Sequence, residues 1–197
     1  ISAEDQEKFF SRVSEFIQSK SSVVIEDYGK GLFTSDLLKK LYSLFAQNKI
    51  KTFVDPSRHA HPQIYQGSFL FKPNKIESEI LVSKLGYHTR DTQEIAKILI
   101  DALELENIVI TLGKDGMAIK NKNDSAVTII PTFAREVYDV SGAGDTAIST
   151  LTLMMSAGAT LEEAAWVANY ASGVVVGKRG TSNVTSKEIF DFIKKQN

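Results

Sequence analysis

Short apolar runs alternate with amphipathic stretches along this chain, and each of several runs ends in a polar or glycine-rich segment. Val23-Val24-Ile25 leads into Glu26-Asp27-Tyr28-Gly29-Lys30-Gly31, residues 51–54 into Asp55-Pro56, residues 68–71 into Lys72-Pro73-Asn74, and residues 107–111 into Leu112-Gly113-Lys114-Asp115-Gly116. Between them apolar residues recur at helical spacing. Phe9, Phe10, Val13, Phe16 and Ile17 do so within residues 2–20, and Leu37, Leu38, Leu41, Leu44 and Phe45 behind Thr34-Ser35. Strands joined through helices run parallel, with right-handed crossovers and helices on both faces. The expected fold class is therefore α/β, a three-layer α/β/α arrangement on a mostly parallel sheet.

Helices are also expected over residues 75–85 and 92–103, and from Gly142 through the small, apolar run that ends at Ala157. Residues 117–120 and 126–130 read as two shorter strands joined by a polar turn. Thr160-Leu161-Glu162-Glu163 and Thr185-Ser186-Lys187-Glu188 have capping-box spacing and open the last two helices. Such a pattern over 197 residues fits one domain with a substantial core.

In parallel α/β sheets, ligands gather beyond the carboxyl ends of the strands. The polar segments after the runs at residues 23, 51, 68 and 107 fall there together, which predicts a shared rim. Asp139-Val140-Ser141-Gly142-Ala143-Gly144-Asp145-Thr146 is expected to join it. Its glycines let the backbone turn sharply, and the helix behind them starts with unpaired N–H groups that suit phosphoryl oxygens. Asp145 in that first turn could accept a proton from a substrate hydroxyl, or could simply complement the helix dipole.

Asn74 and Glu77 stand three apart at a helix start, so they share a face. Oxygen ligands of this kind suit Mg²⁺, and the same pair also has the spacing of a capping box. Thr111-Leu112-Gly113-Lys114-Asp115-Gly116 could bring backbone N–H groups against a nucleotide phosphate, or form a tight turn with Gly116 at positive φ. No P-loop or Rossmann glycine pattern is present. His59, His61 and His88 show no metal-ligand spacing, and Trp166 and Tyr170 read as packing between helices.

Composition narrows the partners. The net charge of −1, without a long basic run, gives no electrostatic case for nucleic acid. No apolar run is long enough for a membrane helix, and no signal-peptide pattern is evident. Zero cysteines exclude disulfides and Cys-ligated zinc, which agrees with a cytoplasmic location.

Taken together, Asp139 to Asp145, the N-x-x-E pattern at Asn74 and Glu77, and the T-x-G-x-x-G pattern from Thr111 to Gly116 resemble the ribokinase-like (PfkB) carbohydrate kinases. Within that family, Asp27-Tyr28-Gly29-Lys30-Gly31, Lys72-Pro73-Asn74 and the stretch from Ala168 to Lys178 are similar to the heptose 7-phosphate kinase module of ADP-heptose synthases. The resemblance implies ATP-dependent phosphorylation of a sugar hydroxyl, the anomeric hydroxyl of heptose 7-phosphate in that module. It implies Asp145 as catalytic base and Gly142, Ala143 and Gly144 as an anion hole. Thr111, Gly113, Gly116 and Asn169 would meet ATP, Asn74 and Glu77 would organise Mg²⁺, and Asp27 and Lys30 would face the sugar phosphate. Backbone near Asp139, Ser141 and Gly180 would hold a monovalent cation such as K⁺, and a homodimer is one assembly the likeness allows. Two departures stand out. Ser57-Arg58 follow Asp55-Pro56 where heptose kinases usually carry Lys, and no glycine-rich N-terminal segment or β lid is present. Residues 1–197, which open on Ile1, are thus expected to be the C-terminal, nucleotide-binding part of a longer kinase, poorly active alone.

Overall fold

The computed structural model describes residues 2–132, 139–180 and 182–195. Its sheet has strands β1 (Ser22–Glu26), β2 (Lys51–Asp55), β3 (Leu70–Phe71), β4 (Asn107–Thr111), β5 (Met117–Asn121) and β6 (Thr128–Ile130), in that spatial order. The first four run parallel, and β5 and β6 are antiparallel to their neighbours. The parallel strands are linked through helices, whereas β4, β5 and β6 follow one another by short connections that reverse direction. The expected third strand at residues 68–71 shrinks to Leu70–Phe71: the Ser68 N–H turns back to the Tyr65 carbonyl, although the Phe69 N–H still donates to the Thr52 carbonyl.

The helices are α1 (Ala3–Phe16), α2 (Ser35–Gln47), α3 (Lys75–Lys84), α4 (Thr92–Leu103), α5 (Ala143–Ser156), α6 (Leu161–Val176) and α7 (Ser186–Lys194). The first expected helix ends four residues early and tightens into a 3₁₀ turn over Ile17–Ser19. Alternation along the strands splits the core between two faces. Ile25, Val54, Phe71 and Ile108 pack with residues of α2, α3 and α4 on one side. Phe53, Leu70 and Val109 pack with Ala147, Ile148 and Leu151 of α5 and Ala164, Ala165 and Ala168 of α6 on the other. The small side chains of α5 and α6 let these helices lie close together over the sheet. Trp166 and Tyr170 meet tilted at 6.2 Å, and Tyr170 meets Phe192 of α7 edge-on at 6.2 Å, so the aromatic pair packs between helices.

Candidate active site

Strand parity sets the site. Glu26, Asp55, Lys72 and Thr111 continue the parity of Val24, Phe53, Leu70 and Val109, so all four lie on the α5 face at the carboxyl end of the sheet. Glu26 and Asp55 are direct register partners. Lys72 Nζ lies 2.8 Å from Asp55 Oδ2, with the lysine side chain 3% exposed. Burial holds the Asp55 carboxyl above the ordinary carboxylate range, against the lowering charge and hydrogen bond of Lys72.

Helix α5 starts above this row. Every other α-helix is capped by a side chain, from Ser2, Thr34, Asn74, Asp91, Thr160 and Thr185. Helix α5 instead begins at Gly142, at φ 80° and with no side-chain cap. Ala143 N–H turns back to the Val140 carbonyl and Thr146 N–H to the Gly142 carbonyl. Among the described residues, no acceptor meets the Gly144 or Asp145 N–H, so the positive end of the helix stays open to an anion. A methyl group added at Gly144 would lie 3.7 Å from Lys72 Nζ and 3.8 Å from Asp55 Oδ2. Cation and helix start thus converge at one point.

A cavity of about 670 Å³ opens beside that point. Among the described residues its walls include Lys72, Asn74, Glu77, Thr111, Gly113, Gly116, Ala143, Gly144 and Asn169. Eight of the twelve residues expected at the site from sequence, counting Gly144 with Ala143, are therefore gathered around one space. Gly142 precedes it as the cap of α5. Asp145, the next residue, is exposed and is not among the cavity walls, and its charge acts on Glu26 and Asp55. Asp27 and Lys30 lie apart from the cavity. Asp27 has the opposite parity to Glu26; its Oδ2 accepts the Tyr65 hydroxyl at 2.6 Å and its Oδ1 the Gly29 N–H at 2.8 Å. Lys30 is exposed in the following loop.

The capping box between Asn74 and Glu77 is formed in full: Asn74 Oδ1 accepts the Glu77 N–H at 2.9 Å and Glu77 Oε2 the Asn74 N–H at 2.8 Å. Both nevertheless face the cavity, and Glu77 Oε1 has no hydrogen-bond partner among the described residues. Burial raises the Glu77 carboxyl, opposed by the Asn74 bond, and Asp55 raises it further. No group of three His, Cys, Asp or Glu suited to direct metal ligation occurs among the described residues. With Glu77 Oε1 left outside the capping box and facing the cavity, the donor set would suit a Mg²⁺ held largely by water and phosphate oxygens.

The glycines after β4 divide the work. Gly116, at φ 95°, would place a Cβ 1.9 Å from the Ile130 carbonyl oxygen, so glycine is required there by the crossing of β6. Gly113, at φ 62°, has open space where a side chain would be and leaves backbone facing the cavity. Asn169 is buried, and its Nδ2 donates to the Pro131 carbonyl at 2.5 Å, which ties α6 to the chain beyond β6 at the cavity wall. Asp139 Oδ1 accepts the Ser141 N–H at 2.9 Å. Its carboxyl is lowered by that bond, by the Ser141 hydroxyl and by the Gly180 N–H, which brings together the three residues expected near a monovalent cation. Thr181 lies outside the described residues.

Sequence reasoning missed Lys72 and Asp55 as an ion pair, and missed Glu26 altogether. The signal was available for both: each sits at a strand end with the parity of the apolar residues that pack under α5. It also missed the clamp by Lys84, whose Nζ donates to the carbonyls of Arg58, His59 and Ala60 at 2.7, 2.8 and 2.9 Å. That clamp fixes the loop carrying Arg58, whose charge reaches Glu77.

The model of the pfkB family carbohydrate kinases matches residues 1–188. The bifunctional protein HldE of Aliarcobacter butzleri is 36% identical over 195 residues, which are 98% of this chain and 40% of that protein. The HldE protein of Sulfurimonas denitrificans is 37% identical over 195 residues, 98% of this chain and 39% of its own. The chain thus spans about 40% of the length of these curated relatives. Among solved structures, phosphofructokinase-2 from Escherichia coli in complex with potassium superposes with a TM-score of 0.84 at 19% identity, covering 100% of this chain and 64% of that one. Ribokinase from Thermotoga maritima gives 0.77 at 22% identity, covering 94% and 59%. These two likenesses bear on the fold, and the three-layer architecture expected from the strand-helix alternation is the one they share. No helix among the described residues is long and apolar enough to cross a membrane. By the family match over nearly its whole length, the chain belongs to the pfkB family of carbohydrate kinases.

Proposed function

We propose that this chain carries the nucleotide-binding side and the catalytic carboxylate of a kinase that moves the γ-phosphoryl group of ATP to a hydroxyl of a phosphosugar. The acceptor we assign is heptose 7-phosphate, phosphorylated at its anomeric hydroxyl to give heptose 1,7-bisphosphate. The observation that carries the reading is the meeting of Lys72 Nζ with the uncapped start of α5 at Gly144, both on the cavity wall and one residue before Asp145. Phosphoryl transfer asks mainly for positioning and charge neutralisation, and that junction offers both.

In this reading ATP occupies the cavity, with its phosphates over Gly113 and Thr111 and its base toward Asn169. Lys72 and the open N–H groups of Gly144 and Asp145 face the γ-phosphoryl oxygens. Asp145 takes the proton of the acceptor hydroxyl as that oxygen bonds to phosphorus; the bond to the β-γ bridging oxygen breaks and ADP leaves. Asn74 and Glu77 would hold Mg²⁺ through its waters, and the ion would neutralise phosphate charge when bound. Asp139, Ser141 and Gly180 are assigned to a monovalent cation beside the α5 turn. The heptose assignment rests on the relatives at 36% and 37% identity and on the motifs at Asp27, Lys72 and Ala168. Arg58, clamped by Lys84, supplies the cation that heptose kinases place directly after Asp-Pro. Because the chain matches 40% of those relatives' length, the remaining acceptor contacts are assigned to the rest of the full-length protein.

The test is calorimetric titration of ATP with and without Mg²⁺, followed by phosphorylation assays of the full-length protein on a panel of sugar phosphates. Mg²⁺-dependent ATP binding and turnover on heptose 7-phosphate are expected. Absence of ATP binding would leave a scaffold role, and turnover only on another sugar phosphate would overturn the heptose assignment alone.

A further inference from the structure

The acceptor side of the site is set by strand parity. Val24 packs toward α5, so Glu26 at the end of β1 shares that face, while Ile25 and Asp27, whose N–H still pairs with the Asp55 carbonyl, turn to the other. Tyr28, beyond the strand, is placed by its hydroxyl bond to Glu26. The contacts bear this out at both residues. Asp27 is spent on Tyr65 and Gly29, away from α5. Glu26 stands beside Asp55 in the register and is felt by Asp145.

Glu26 is half-buried next to two other carboxylates, an unfavourable place for a purely structural acid. Tyr28 OH donates to its Oε2 at 3.0 Å, which fixes both side chains. Oε1 has no hydrogen-bond partner among the described residues, and the Tyr28 ring is 67% exposed. A carboxylate oxygen aligned beside an exposed, anchored aromatic ring is the chemistry that recognises a polyhydroxylated ring. The carboxylate accepts from hydroxyls, and the aromatic face meets the apolar C–H face of the sugar. The cavity walls run from Asp55 at the end of β2 to Thr132 beyond β6, and Glu26 ends β1 directly beside Asp55, so this pair stands at the β1 edge of the cavity.

We infer that Glu26 and Tyr28 select the acceptor, Glu26 by accepting hydroxyl hydrogen bonds and Tyr28 by stacking against the sugar ring. This rests on the kinase reading above and goes beyond it by naming the residues that discriminate among acceptors. Asp27, in this assignment, braces the loop that presents them.

The experiment is steady-state kinetics of the full-length protein and its Glu26→Gln and Tyr28→Leu variants, using heptose 7-phosphate and aldose phosphates that differ from it at single ring hydroxyls. Glu26→Gln keeps the shape of the side chain, and circular dichroism confirms folding. The expected result is an acceptor KM raised about tenfold or more, the loss expected for a hydrogen bond to a charged group, with the ATP KM unchanged. Tyr28→Leu is expected to raise the acceptor KM and flatten the ranking of the panel. Wild-type acceptor KM and ranking in both variants would overturn the assignment, as would a matching loss of ATP affinity, which would place the pair on the nucleotide. A wild-type protein that binds ATP but phosphorylates no member of the panel would overturn the kinase reading itself, and the assignment with it.

Discussion

Lys72 Nζ sits 2.8 Å from Asp55 Oδ2 beneath the first turn of α5, where the lysine is almost wholly removed from water. An ion pair in such a place contributes little net stability, because desolvation of both charges offsets their attraction. Its position is better explained by what it presents: a fixed cation, aligned by Asp55, at the junction of the cavity with the open helix start.

Lys72→Met keeps the apolar stem and removes that cation. Burial already raises the Asp55 carboxyl, and loss of Lys72 raises it further. A carboxyl whose folded value exceeds its unfolded value favours the folded state when protonated. Its contribution is therefore fully present below the unfolded value and lost as pH rises through the folded one. The variant is expected to show a stability deficit that widens from acid towards neutral pH, reaching roughly 3 kcal/mol. Thermal denaturation across that range measures it, and a deficit independent of pH would contradict the pairing.

Gly116 and Gly113 separate structural from ligand-facing backbone. Gly116→Ala drives a methyl into the Ile130 carbonyl and is expected to cost about 3 kcal/mol or more, or to prevent folding. Gly113→Ala meets no neighbour, so it should cost only the left-handed penalty of about 1 kcal/mol while weakening ATP binding. Chemical denaturation and ATP titration of both variants check the contrast.

Tyr65 is fully buried; its hydroxyl donates to Asp27 and accepts the Ser57 N–H at 3.2 Å. Tyr65→Phe leaves both partners unmatched and is expected to cost about 1–3 kcal/mol. Since it joins the loops after β1 and β2, the acceptor KM should rise while the ATP KM holds. Urea denaturation and kinetics on the full-length protein test both halves.

What was legible in the sequence was local. The capping boxes at Asn74, Thr160 and Thr185 each need a pair three residues apart, and all three form. The Gly142 turn announces itself by its composition and caps α5 as expected. The alternation of strands and helices was enough for the three layers. Lys72 with Asp55, Tyr65 with Asp27, and Lys84 with the Arg58 loop were not legible, because each joins segments that only the parallel sheet brings together. Asp27 illustrates the difference. Its motif pointed to the sugar, but parity turns its carboxylate toward Tyr65 and leaves Glu26 on the α5 face.

Asp145 is the residue on which the catalytic account turns, and Asp145→Asn in the full-length protein tests it most directly. The substitution keeps the size of the side chain and removes the proton acceptor, outside the cavity walls that would hold ATP. The predicted result is a fall in kcat of about 10²–10⁴-fold with ATP affinity retained in calorimetry. Wild-type turnover in that variant would contradict the account.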